Sequence, residues 1–176
     1  KDLITVEIEN VNIEALEKLE TKGKKVFHQP RELKLIKDKG LQKQFYLQHN
    51  IPTADLILIE NKSELKRHAS FLTFVQKTRK GGYDGKGVKT IQTEVDFQNG
   101  FDTPSVLEKY VPFQKELAVM VARNETGEIK SYPVVECEFN PEFNLVEFLF
   151  SPANISSEIE KKAQKIAEDI ICKLGM

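Results

Sequence analysis

The 176-residue chain sets 26 Lys and Arg against 27 Asp and Glu, a formal charge of −1 that gives no pull toward DNA or an anionic membrane surface. Apolar residues make up 40%, enough for a core in one domain or two small lobes, and no apolar run nears the ~20 residues of a membrane span. Cys137 and Cys172 lack metal-ligand spacing, and two lone thiols suit a reducing cytoplasm.

Residues 3–8 alternate, with Ile4, Val6 and Ile8 on one face, and predict a strand. Asn12 is a candidate N-cap for the next helix, and Val11 and Leu16 are spaced for a hydrophobic staple. Ile13, Leu16 and Leu19 form its stripe, and Gly23 lies just past its end. Pro30 suits the first position of a second helix, with Leu33 and Ile36 on its apolar side. Asp38 is placed to cap a third helix, from Lys39 to about His49, with Leu41, Phe45 and Leu47 expected inward. Gly40 costs about 1 kcal/mol relative to alanine so near a helix start and marks a join between two helices. Residues 56–59 form a short apolar strand, and Ser63 is placed to cap a helix bearing Leu65, His68 and Ala69. His28, His49 and His68 have no catalytic partner close in sequence and are assigned to structure or surface.

A strand over 71–78 leads into residues 77–88, KTRKGGYDGKGV, and a β-branched strand over 88–91 leads out. Gly81, Gly82, Gly85 and Gly87 let backbone N–H groups approach a ligand closely, and Lys77, Arg79, Lys80 and Lys86 surround them with positive charge. Donors and cations together suit an anion such as phosphate. The Walker pattern fails, because Val88-Lys89 follows Gly87 where a Lys-Ser/Thr pair is needed. The dinucleotide fingerprint fails too, because β-branched residues follow where a helix is needed. A plain flexible hairpin loop is the alternative.

A polar stretch fills 93–104, and residues 105–111 form a strand that runs into a Pro112 turn. Residues 114–123 and 128–135 predict two alternating strands joined by a hairpin at 124–127, with Gly127 as its glycine. Pro133 cannot donate to a ladder and signals an edge or a bulge. Residues 145–150 are another apolar strand. Ser157 with Glu160 suggests a capping box. Ile159, Ala163, Ile166, Ala167, Ile170, Ile171 and Leu174 stripe the helix that follows, and Gly175 ends it.

The string KTRxGGYDGKG resembles the phosphate-covering loop of the 5-(carboxyamino)imidazole ribonucleotide synthases. These are the ATPase subunits of phosphoribosylaminoimidazole carboxylase, within the ATP-grasp superfamily. DKGLQKQF from Asp38 and YPVVE from Tyr132 are further matches. The resemblance implies an α+β architecture, a partial ATP-grasp fold with an antiparallel small lobe and the start of a large lobe. It places the end of an N-terminal α/β domain at 1–30 and the ATP-grasp part at 31–176, with the small lobe at about 52–111 and the large lobe from about 112.

By the same resemblance Lys39 and Lys77 reach the ATP phosphates, while Gly82, Tyr83, Asp84, Gly85, Lys86, Gly87 and Val88 fold over them. Tyr83, Asp84 and Lys86 also border the ribonucleotide. Glu108, Lys109, Tyr110 and Val111 form the adenine hinge, and Glu116 clamps the ribose. Phe139 stands where many relatives carry a histidine, and a phenyl ring there can only stack or pack. Glu7 and Glu9 either face the substrate end or are solvated strand carboxylates.

The implied activity is ATP-dependent carboxylation of aminoimidazole ribonucleotide with bicarbonate, in purine biosynthesis, by a cytoplasmic and homodimeric parent enzyme. The chain opens without an initiator methionine and stops just after a helix. It is therefore expected to be an internal piece with little turnover, its magnesium carboxylates lying beyond Met176. Another ATP-grasp ligase and a non-catalytic nucleotide-binding module are the rival readings.

Overall fold

In a computed structural model, residues 2–8, 10–82, 86–140 and 145–175 are described. Glu9, Tyr83, Asp84 and Gly85, which carry sequence-based expectations, lie outside the described residues.

The chain opens as a βαβ unit. β1 (Leu3–Thr5) pairs in parallel with β2 (Lys25–Phe27), and α1 (Ile13–Thr21) crosses between them. The Asn12 carboxamide accepts from the Ala15 N–H, as expected of the cap. Val11 packs with Leu16, Val26 and Leu33, so the staple forms and extends into a small core. α2 (Pro30–Ile36) starts on Pro30, which has no N–H to leave unpaired.

α3 (Lys39–Gln48) is capped by Asp38, which accepts from the Gly40 and Leu41 N–H groups. Its rotation differs from the expected one: Leu41 and Leu47 are exposed, while Gly40 is buried. The reason is charge pairing. Asp38 and Lys43 on this segment are both held by partners on the neighbouring sheet, and they turn a mixed polar face inward.

That sheet is the centre of the structure. β3 (Leu56–Ile59), β4 (Phe74–Thr78), β5 (Val88–Ile91) and β6 (Ser105–Lys109) run antiparallel in the order β3–β6–β4–β5. One face buries Ile59, Phe74, Ile91 and Leu107 against Leu65 and Phe97. Leu65 and Phe97 come from two 3-10 helices, Lys62–Phe71 and Glu94–Asn99. The first is capped by Asn61 rather than Ser63; Glu64 reaches back to close the capping box. The second lies inside the stretch expected to be merely polar, and it delivers Phe97 to the core. Buried Gln76 bridges the sheet and the 93–104 connection, donating to the Phe101 carbonyl and the Ser105 hydroxyl and accepting from the Phe101 N–H.

Each of the two long strands expected at 114–135 splits. β7 (Glu116–Ala118) joins β10 (Val135–Asn140), which pairs in turn with β11 (Leu145–Phe150). β8 (Val121–Arg123) and β9 (Ile129–Ser131) make a separate hairpin through Gly127, at φ +88°. The chain changes sheet beside Pro133, whose missing N–H suits a break in the ladder. α4 (Ser157–Leu174) packs half-buried on the β8–β9 hairpin and ends on Gly175, left-handed at φ +77°. Its N-cap is Ser156, one residue before the expected position, so Ile159 and not Glu160 occupies the third helical position.

Candidate functional site

Antiparallel pairing decides which side chains meet. Val75 pairs with Glu108 and Lys77 with Val106, so these four point to the face of the sheet opposite the Phe74–Leu107 core. Val88, paired with Lys77, joins them. Lys77 Nζ stands 3.1 Å from Glu108 Oε1. Lys43 Nζ, from α3, stands 3.1 Å from Oε2 of the same carboxylate. Glu108 is 8% exposed, so its charge is largely removed from water and both cations bear on it. Tyr46 lies close by. Burial, and secondarily the Glu108 charge, push its hydroxyl above the usual tyrosine range.

The glycine loop follows the end of β4 directly. The Thr78 N–H donates to the Gly87 carbonyl at 2.9 Å, which closes the hairpin base. Gly87 has φ +80°, and a Cβ there would stand 2.5 Å from Thr78 Oγ1, so both conformation and space require glycine. A Cβ on Gly82 would meet the Lys86 carbonyl oxygen at 2.9 Å and stand 3.6 Å from Lys39 Nζ. The structure thus brings Lys39 close to the start of the loop.

A second pair anchors that approach. Arg79 donates from Nε and Nη2 to the two Asp38 oxygens, each at 2.9 Å, and its carbonyl accepts from the Lys39 N–H. Burial alone would raise the Asp38 carboxyl. Hydrogen bonds from Arg79 and the Leu41 N–H, the Arg79 charge and the Gly40 N–H outweigh it and hold the group below its ordinary value. A cavity of about 260 Å³ opens here, lined by Asp38, Arg79, Lys80, Thr103 and Pro104.

Glu116 and Phe139 lie on the other sheet. Glu116 pairs with Cys137 across β7 and β10, and Phe139 lies further along β10, past an irregularity in its pairing with β11 between Glu138 and Phe139. Burial, then the Glu116 charge, push the Cys137 thiol up.

The Lys109 side chain lies away from this face. It points to the core face, donating to the Phe71 and Leu72 carbonyls at 3.1 and 2.8 Å and lying over the Phe71 ring. Adjacent strand residues face opposite sides, so Glu108 and Lys109 cannot both enter the site with their side chains. Tyr110 and Val111 are exposed just beyond β6, and the Tyr110 N–H is taken by the Thr73 carbonyl. Lys43 went unnoticed in the sequence; its one signal was its place one helical turn after Lys39, inside the DKGLQKQF match. Among the described residues no three His, Cys, Asp or Glu side chains gather to hold a metal ion.

A β-sheet lobe with a glycine loop between two strands, cationic side chains at its base and a buried carboxylate beside them defines the class. The chain belongs to the ATP-grasp family, whose domain model matches residues 44–176. Over 97% of its length it is 34% identical to a phosphoribosylaminoimidazole carboxylase from Candida glabrata, of which it covers 31%. Among solved structures, N5-carboxyaminoimidazole ribonucleotide synthetase from Thermotoga maritima matches with TM-score 0.84 and 36% identity, over 99% of this chain and 44% of that one. The N5-carboxyaminoimidazole synthase of Aspergillus clavatus, in complex with ADP and 5-aminoimidazole ribonucleotide, matches with TM-score 0.88 and 26% identity, over 98% of this chain and 46% of that one. The chain thus spans between about a third and a half of these relatives.

Proposed function

We propose that this chain forms the nucleotide-holding part of an ATP-dependent ligase that carboxylates 5-aminoimidazole ribonucleotide in purine biosynthesis. The observation that carries the reading is Lys77 beside buried Glu108, on the sheet face opposite the core and at the strand end that leads into the glycine loop. The Candida glabrata and Aspergillus clavatus proteins support the substrate assignment by what they are named for and solved with.

In this reading ATP is a substrate. A bicarbonate oxygen attacks its γ-phosphorus, ADP departs, and the ribonucleotide amine then attacks the carboxyl carbon as phosphate leaves. The chain's own contribution is positioning and charge. Lys39, Lys77 and the amides at Gly82 and Gly87 would take the phosphates, where fixed donors stabilise developing charge without reorganising. Glu108 and the exposed backbone at Tyr110 and Val111 would meet adenine. Glu116 would accept from the ribose hydroxyls. A magnesium requirement, a cytoplasmic setting and a homodimeric whole enzyme belong to the same proposal.

Calorimetric titration with a non-hydrolysable ATP analogue tests it. Binding should weaken at least tenfold in Lys77→Ala, a loss of about 1.4 kcal/mol. Equal affinity in the variant would contradict the assignment.

A further inference from the structure

Glu108 has two cationic partners, and they are not equivalent. Lys43 is 14% exposed in its side chain, donates to Thr53 Oγ1 at 2.8 Å and lies 5.8 Å from the centre of the Tyr46 ring, so these two neighbours hold it against Oε2. Lys77 is 32% exposed at the end of β4, beside the loop. It approaches Oε1 to 3.1 Å but without hydrogen-bond geometry, and that buried oxygen is left without a hydrogen-bonding partner. A buried carboxylate oxygen rarely stays without a hydrogen bond, so Oε1 would accept one from a ligand donor once Lys77 moves off it.

We propose that Lys43 is a positioning residue: it is the standing counter-ion of Glu108, holding the carboxylate with Oε1 turned to the nucleotide while Lys77 is released to the phosphates. The inference rests on the nucleotide-binding reading above. Without Lys43, Lys77 would be the one neutralising partner of this buried charge among the ion pairs described. Nucleotide binding would then have to strip Glu108 of its last cation, or Lys77 would stay and the phosphates would lose theirs. With Lys43 in place the exchange leaves every charge paired. Asp38 and Glu60 meet Arg79 and not Lys43, so Glu108 is the acidic group that Lys43 serves among the ion pairs described.

The test is a double-mutant cycle on the whole chain, read by titration with adenylyl imidodiphosphate. Lys43→Met should weaken binding about tenfold with Glu108 present and less than twofold in the Glu108→Gln background, where no charge needs a counter-ion. Lys43→Arg should restore most of the affinity. Thermal melts accompany each variant, and Lys43→Gln, which keeps a donor for Thr53, substitutes if Lys43→Met does not fold. Equal losses in both backgrounds, or no loss in either, would overturn the role of Lys43. If Lys77→Ala still weakens binding in that case, the nucleotide site stands and this inference alone falls. If the unmodified chain binds no analogue, both fall together.

Discussion

The Arg79 guanidinium lies fork to fork on the Asp38 carboxylate, two bonds of 2.9 Å linking the start of α3 to the start of the glycine loop. Asp38 is also the cap of α3, so one side chain fixes both the helix carrying Lys39 and the strand end carrying Lys77. Asp38 is 3% exposed. Arg79→Ala would leave that charge with only backbone donors and distant Lys80, at 3.8 Å. The expected loss is about 3 kcal/mol, the low end for breaking a buried pair because Arg79 is partly exposed. Urea unfolding of the variant measures it.

The same pair gives a pH dependence with a definite sign. The folded Asp38 carboxyl titrates below its ordinary 3.8, so its contribution is present above that value and is lost as the pH falls through the folded pKa. Asp38→Asn should therefore be less stable than the unmodified chain at neutral pH, and the two should converge as the pH drops below about 4. Melting temperatures at pH 7, 5 and 3 follow the convergence; a constant gap would contradict it.

Gly40 is required by this contact and not by its φ. A Cβ there would stand 2.5 Å from Arg79 Nε and 2.9 Å from Cζ. Alanine is otherwise the better helix former by about 1 kcal/mol. Gly40→Ala should nevertheless destabilise by about 1–2 kcal/mol, through displacement of the guanidinium. In the Arg79→Ala background the same substitution should be neutral or stabilising, and unfolding of both variants decides between the two expectations.

Lys109 separates fold from site. Because its ammonium caps the Phe71 and Leu72 carbonyls on the core face, Lys109→Met should lower the melting temperature and leave analogue affinity within about twofold once the protein is folded. A loss of affinity as large as that of Lys77→Ala would place Lys109 in the site after all.

Local signals were legible in the sequence. Asn12, Pro30, Asp38 and Gly127 announce a cap, a helix start, a second cap and a hairpin, and each acts within four residues. The split of the first strand was not legible, because Leu117, Val119 and Val121 alternate through the change of sheet, whereas the second break carried its signal in Pro133. Ser156 and Ser157 are equal candidates for a cap until the backbone chooses. The exposed side of α3 is not legible from its apolar stripe, because Asp38–Arg79 and Lys43–Glu108, partners 41 and 65 positions apart, set its rotation. Such pairs leave no periodicity to find. The side of Lys109 was recoverable, since strand alternation separates it from Glu108.

The most direct test is a crystal structure of the chain with a bound ATP analogue. The account predicts the triphosphate between Lys39, Lys77 and the amides near Gly82 and Gly87, with Lys77 turned from Glu108 and adenine along residues 108–111. A nucleotide found instead in the 680 Å³ groove lined by Lys24, Lys25, His28 and Arg123, with the Lys77–Glu108 contact intact, would contradict it.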